Sequence, residues 1–125
     1  MKRDYDLAGK VIGAAMEVHR CLGPGFVESV YENALTIELA SSKIIAEGQK
    51  PIEVKYKEQC VGNFVADLVV DQTLIVELKA VQTILPIHEV QLVNYLTATG
   101  LDEGVLLNFG SESLQFKKKF RKPKQ

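Results

Sequence analysis

Cysteine is scarce in this 125-residue chain, and the two present, Cys21 and Cys60, stand far apart without the close spacing of metal-binding cysteines. They read as two reduced, partly buried thiols of a cytoplasmic protein. No apolar run approaches the ~18 residues that a membrane span requires, which argues against a membrane partner. Residues 1–6 lead into an amphipathic pattern and not into an apolar signal region, so no export signal is expected. A formal net charge of −1 offers no general attraction to nucleic acid. Internal repeats, low-complexity segments and linkers are absent from the sequence, as is any aromatic stacking platform or other feature suited to RNA. What is present is ordinary for a globular domain: 46% hydrophobic and 25% charged residues. The length suffices for one domain over residues 1–125 with a sizeable core, not for two. One asymmetry stands out. Lys117, Lys118, Lys119, Arg121, Lys122 and Lys124 crowd a basic C-terminal tail, about residues 117–125, suited either to solvent or to phosphate contact.

Leu7, Val11, Ala14, Ala15, Val18 and Leu22 recur at helical spacing and predict a first helix over about residues 5–21. Leu22-Gly23-Pro24-Gly25 ends it in a tight corner. A second helix follows over about 26–42. Residues 44–56 read as extended, with Pro51 favouring a sheet edge or a bulge. Two strands with apolar cores come next, joined by Asp71-Gln72-Thr73. A third helix over about 87–99 ends at Gly100, and strands are expected over 103–109 and 114–120. Three meandering strands and a helical crossover imply a mixed sheet in which strands three and four run parallel.

Within the two apolar strands stand Asp67, Glu77 and Lys79. Charge placed inside a buried strand is costly unless it is compensated, and a divalent cation between two carboxylates, with an ammonium beside it, would compensate it. That is the layout of a metal-dependent phosphodiesterase site. The layout demands an odd number of loop residues, which Asp71-Gln72-Thr73 supplies. Val65, Asp67, Val69, Ile75, Glu77 and Lys79 then share one face. Phe64, Ala66, Leu68, Val70, Leu74, Val76, Leu78 and Ala80 take the other, as an apolar core. Glu53-Val54-Lys55 repeats the acid–x–lysine pattern without an embedded aspartate upstream, and reads as an exposed strand face.

Three further residues are open on local pattern alone. Glu28 falls in the first turn of the second helix, where a carboxylate complements the helix dipole whether or not it has a further role. Gln91 and Tyr95 share a face of the third helix with His88. His19 is placed to cap the first helix.

Gly25-Phe26-Val27-Glu28-Ser29-Val30-Tyr31 resembles the signature of the GxxExxY protein family. Asp67, Glu77-Leu78-Lys79 and Gln91-Leu92-Val93-Asn94-Tyr95 resemble the D, ExK and QxxxY motifs of the PD-(D/E)XK nuclease superfamily, in its RecB-like and phage-exonuclease-like branches. The resemblance runs from about Gly9 to Phe116. It implies an α/β (α+β) restriction-endonuclease-like fold: an αβββαβ core, a mixed sheet flanked by helices, and an extra N-terminal helix. It further implies Mg²⁺ or Mn²⁺ held by Asp67 and Glu77, with the Leu78 carbonyl as an additional ligand. Glu28 would bind a second ion or its water, Lys79 would position the attacking water, and Gln91 and Tyr95 would line the site. Many RecB-like relatives use a helix histidine as a ligand, a position that neither His19 nor His88 clearly occupies. The expectation is a cytoplasmic Mg²⁺-dependent DNA nuclease, whose basic residues Lys117, Lys118, Lys119 and Arg121 meet the DNA. Fold-level analogy adds a homo-oligomer or protein partner. The rival readings are a catalytically weak nucleic-acid-binding or interaction module that keeps the metal site and, ranked lower, an RNA-processing enzyme.

Overall fold

Apolar β-branched sequence concentrates in the middle of the chain, and the sheet it forms organises everything else. In the computed structural model, which describes residues 6–121, the order is α1 (Leu7–Leu22), α2 (Glu28–Ser41), β1 (Ala46–Tyr56), β2 (Gln59–Val70), β3 (Leu74–Lys79), α3 (Pro86–Thr99), β4 (Glu103–Asn108) and β5 (Gln115–Phe120). Among these residues the strands lie in sequence order, β1-β2-β3-β4-β5, antiparallel except for the parallel β3–β4 pair. This is the α+β mixed sheet predicted from the order of elements, with α3 as the crossover between parallel neighbours. β1 takes an edge, as Pro51 requires. Tyr5, Lys122 and Lys124 lie outside the described residues.

The helices begin and end where local chemistry directs. Asp6 caps α1 by accepting a hydrogen bond from the Gly9 N–H at 3.0 Å. Gly23, at φ 70, closes α1 through its N–H to the His19 carbonyl. Pro86 opens α3, and Gly100, left-handed at φ 76, ends it. The corner between α1 and α2 is held by one side chain. Tyr31 is fully buried; its hydroxyl donates to the Gly23 carbonyl at 2.6 Å and accepts from the Phe26 N–H at 3.1 Å. Its ring stacks on Phe109 with centroids 4.6 Å apart.

Two cores sandwich the sheet. α1 and α2 cover one face through Val11, Ala15, Tyr31, Leu35 and Leu39, against Leu68, Val70, Val76, Leu78 and Leu107. α3 covers the other through Leu92 and Leu96, against Ile52, Val69, Ile75 and Leu106. α3 lies close on β4 because Gly104 has no side chain; a Cβ there would stand 2.8 Å from Leu92 Cδ1.

Three expectations need correction. Phe64 and Ala66 do not join Leu68 and Val70 on one face; they pack with Ile52 and Tyr95 under α3. The alternation breaks because β1 and β2 pair at Gly48↔Leu68 and Lys50↔Ala66 but not between them, where Gln49 takes φ 50. Cys21 and Cys60 are exposed, not partly buried: Cys21 lies in the last turn of α1 beside Glu17, and Cys60 lies just after the two-residue turn Lys57-Glu58. The basic tail expected from about residue 117 starts later, since Lys117, Lys118 and Lys119 belong to the edge strand β5, close to the strand expected over 114–120.

Replacing Tyr31 by Phe keeps the ring stack and deletes both hydroxyl bonds. It should lower unfolding stability by about 1–2 kcal/mol in urea titration.

Candidate active site

The site begins at the β2–β3 hairpin. Asp71 (φ 53) and Gln72 (φ 60) turn the chain, and Val70↔Leu74, Val69↔Ile75 and Leu68↔Val76 pair in register. The odd loop is therefore realised, and the next position sets Asp67 against Glu77. There the ladder stops. The side chains take over the main-chain groups: Glu77 Oε2 accepts the Asp67 N–H at 3.0 Å, and Asp67 Oδ2 accepts the Leu78 N–H at 2.8 Å. Each buried N–H keeps a partner, as buried backbone must, while the two carboxylates are brought together at the fork.

Their electrostatics follow from burial. Glu77 is only 8% exposed. Desolvation, then the negative charge of Asp67, pushes its pKa up to about 8 from 4.5, against the Asp67 N–H bond and the charge of Lys79; Glu28 adds to the rise. Asp67 is also raised, by burial first, and held back by the Leu78 N–H, Lys79 and the Gln49 amide. Lys79 is half-buried and makes no direct ion pair among the described residues, yet both carboxylates feel its charge. Tyr95 is half-buried and stacks on Phe64 at 3.7 Å between centroids. Burial, then Glu77 and Asp67, raises its phenol.

The remaining candidates differ in how closely they approach. Glu28 sits exposed in the first turn of α2, near enough for Glu77 to register its charge. Among the described residues no three His, Cys, Asp or Glu side chains converge on a single point, so Glu28 stands off from the carboxylate pair. Leu78 follows Glu77 on β3, buries its side chain in the core under α1 and α2, and gives its N–H to Asp67. Gln91 is exposed on α3 without a hydrogen-bond partner among the described residues. Both histidines are engaged elsewhere. His19 does not cap α1 but bonds the Ser111 carbonyl at 2.9 Å, and His88 Nδ1 accepts the Leu85 N–H at 3.0 Å. Glu53 and Lys55 form an exposed 3.8 Å pair, the plain strand face that was expected. Lys119 pairs with Glu89 at 3.0 Å and Arg121 with Asp102 at 2.6 Å, which leaves Lys117 and Lys118 exposed on β5.

Two neighbours of the site were not singled out by sequence. Gln49 lies on β1 opposite Asp67, and its Nε2 bonds both carboxylate oxygens of Glu32, at 2.9 and 3.1 Å. The signals were faint: Gly48 and Pro51 marked a break in that strand, and Glu32 lies one helical turn beyond Glu28.

Asp67 and Glu77 supply hard oxygen donors, a set that suits Mg²⁺ or Mn²⁺ over softer ions. Mg²⁺ is commonly held by one or two carboxylates completed by substrate phosphates and water.

A mixed sheet that forks around an acid pair, with a lysine two residues on, defines a nuclease-like fold. Residues 5–122 match the PD-(D/E)XK nuclease superfamily, and the chain belongs to it. Among solved structures it is similar to SSO0001, with TM-score 0.59 and 16% identity, over 78% of this chain and 52% of that one. It is also similar to an alkaline exonuclease, LHK-Exo, from Laribacter hongkongensis, with TM-score 0.55 and 11% identity, over 94% of this chain and 72% of that one. At these identities the likeness is one of fold, and the chain spans about half the length of SSO0001. No curated protein matches the sequence.

The raised Glu77 pKa has a direction for stability. A carboxyl that binds its proton more tightly when folded favours the fold below pH 4.5 and loses that contribution as pH rises through about 8. Without added metal, Glu77→Gln should therefore stabilise the protein by roughly 1–3 kcal/mol near pH 8.5 and by little near pH 5, read from urea midpoints at the two pH values.

Proposed function

We propose that this protein is a metal-dependent nuclease that hydrolyses DNA phosphodiester bonds at the fork holding Asp67, Glu77 and Lys79. The observation that carries this reading is the exchange of ladder bonds for carboxylate bonds at Asp67 and Glu77, with the Lys79 charge beside them. A sheet gains nothing in stability from two desolvated like charges, so the arrangement points to chemistry.

In this reading Asp67 and Glu77 hold Mg²⁺ or Mn²⁺, and the Leu78 carbonyl is available as a further oxygen ligand. When bound, the cation polarises the scissile phosphate and lowers the pKa of a water. The Lys79 ammonium orients that water and offsets the charge that builds on the phosphoryl oxygens. Glu28, in the first turn of α2, serves as ligand to a second ion or to metal-bound water. Gln91 and Tyr95 line the α3 side and steady the substrate backbone. Lys117 and Lys118, with Lys119 and Arg121 once freed from Glu89 and Asp102, meet phosphates farther along the strand. Membership of the GxxExxY family within a RecB-like branch belongs to this proposal, on the strength of Gly25, Glu28, Tyr31, Gln91 and Tyr95. So does a cytoplasmic location, which the two free thiols favour, and so does self-association or a protein partner, which rests on fold analogy alone.

Asp67→Ala and Lys79→Ala should each reduce Mn²⁺-dependent cleavage by about 100-fold or more while leaving the far-UV spectrum unchanged. Wild-type cleavage by either variant would refute the assignment. Calorimetric Mn²⁺ binding without cleavage of single-stranded, duplex or nicked DNA would favour the binding-module reading.

Lys117→Ala and Lys118→Ala should weaken DNA binding across sequences alike. Each should flatten the plot of log affinity against log salt by about 0.9 if the lysine neutralises one duplex phosphate.

A further inference from the structure

Pairing between β1 and β2 lapses at the position where Gln49 faces Asp67. Gln49 reaches this position at φ 50, a conformation that costs a non-glycine residue on the order of 1 kcal/mol. Strain at that place needs a compensating contact, and the side chain supplies it. Gln49 Nε2 reaches both Glu32 oxygens, at 2.9 and 3.1 Å, while the strand register places the residue across from Asp67, whose carboxyl its amide helps to hold down in pKa. The backbone of β1 comes close enough to α2 that a Cβ on Gly48 would stand 3.4 Å from Glu32 Oε2.

We propose that Gln49 is a positioning residue that fixes the Asp67 carboxylate by tying it, through one side-chain amide, to Glu32 on α2. The residue type fits the task. An amide carries two N–H groups on one nitrogen, so it can serve two carboxylates at once. Being neutral, it orients Asp67 without forming the ion pair that would compete with a cation, as a lysine or arginine would. The tether also couples α2, which carries Glu28 one turn before Glu32, to the strand that carries Asp67. Groups that orient a metal-binding side chain typically influence metal affinity or activity by about 10–100-fold.

The inference deepens the nuclease reading, but its first test does not depend on it. The Leu78 N–H donates to Asp67 Oδ2 at 2.8 Å and so reports where that carboxylate points. In the full ¹⁵N-labelled chain without metal, Gln49→Ala and Glu32→Ala should speed exchange of the Leu78 amide by roughly tenfold, leaving the Ile75 and Val76 amides as they were. Glu32→Gln retains an acceptor and should restore wild-type protection. In a second arm, Mn²⁺ titration should show affinity about 10–100-fold weaker for Gln49→Ala. An unchanged Leu78 amide, or one loosened in step with Val76, overturns the positioning role. A wild-type protein that binds no Mn²⁺ overturns the nuclease reading, while the amide measurement still decides the role of Gln49.

Discussion

Two carboxylates side by side in a β-sheet, Glu77 buried and Asp67 half-buried, each bonded to the other strand's backbone, are the constraint around which this molecule is arranged. A sheet tolerates the opening of its ladder only if the freed N–H groups find partners, and Glu77 and Asp67 supply them. Apart from Lys79, the rest of β3 is apolar and buried, so the strand is anchored on both faces while its acid is held at the fork. The α1–α2 layer grips one face and α3 the other. The fork is therefore packed from both sides although the bonds at its centre are made by side chains.

The same constraint explains features that look unrelated along the chain. Tyr31 ties the Gly23–Phe26 corner to the helix that follows, and this fixes the angle at which α2 presents Glu28 and Glu32. The bend of β1 and β2 at Gln49 and Asp67 turns Phe64 beneath Tyr95, so the aromatic stack on the α3 side arises from the same irregularity that frees Asp67. Gly104 lets α3 settle onto β4 at the distance that this stack requires. Stability and chemistry pull apart at Glu77: burial makes it a poor anion, and the Lys79 charge returns only part of that loss.

Much of the architecture could be read from the residues. Helical spacing from Leu7 to Leu22, the glycine–proline corner and Gly100 bound the helices to within two residues. The odd loop Asp71-Gln72-Thr73 is realised in the ladder through Leu68↔Val76, which ends one position short of Asp67 and Glu77. The exposed pair Glu53–Lys55 shows why context mattered more than motif, since the same acid–x–lysine spacing on an open strand gives an ordinary surface. Period-two reasoning failed at Phe64 and Ala66. It presumes an unbroken ladder, and no local pattern announced that Gln49 would adopt a positive φ. The strand expected over 114–120 forms as β5 and takes in Lys117, Lys118 and Lys119, so the basic run begins on an edge strand.

Composition and periodicity determined the order of the elements, the mixed sheet and the presence of an acid–acid–lysine group on one hairpin, because these depend on spacing within short stretches of chain. The partnership of Gln49 with Glu32, the reach of the Glu28 charge to Glu77 and the pairing of Lys119 with Glu89 were decided only by tertiary structure. Each joins segments that are distant in sequence, and their distance and desolvation are set by how the helices pack on the sheet, a quantity that no single stretch of residues encodes.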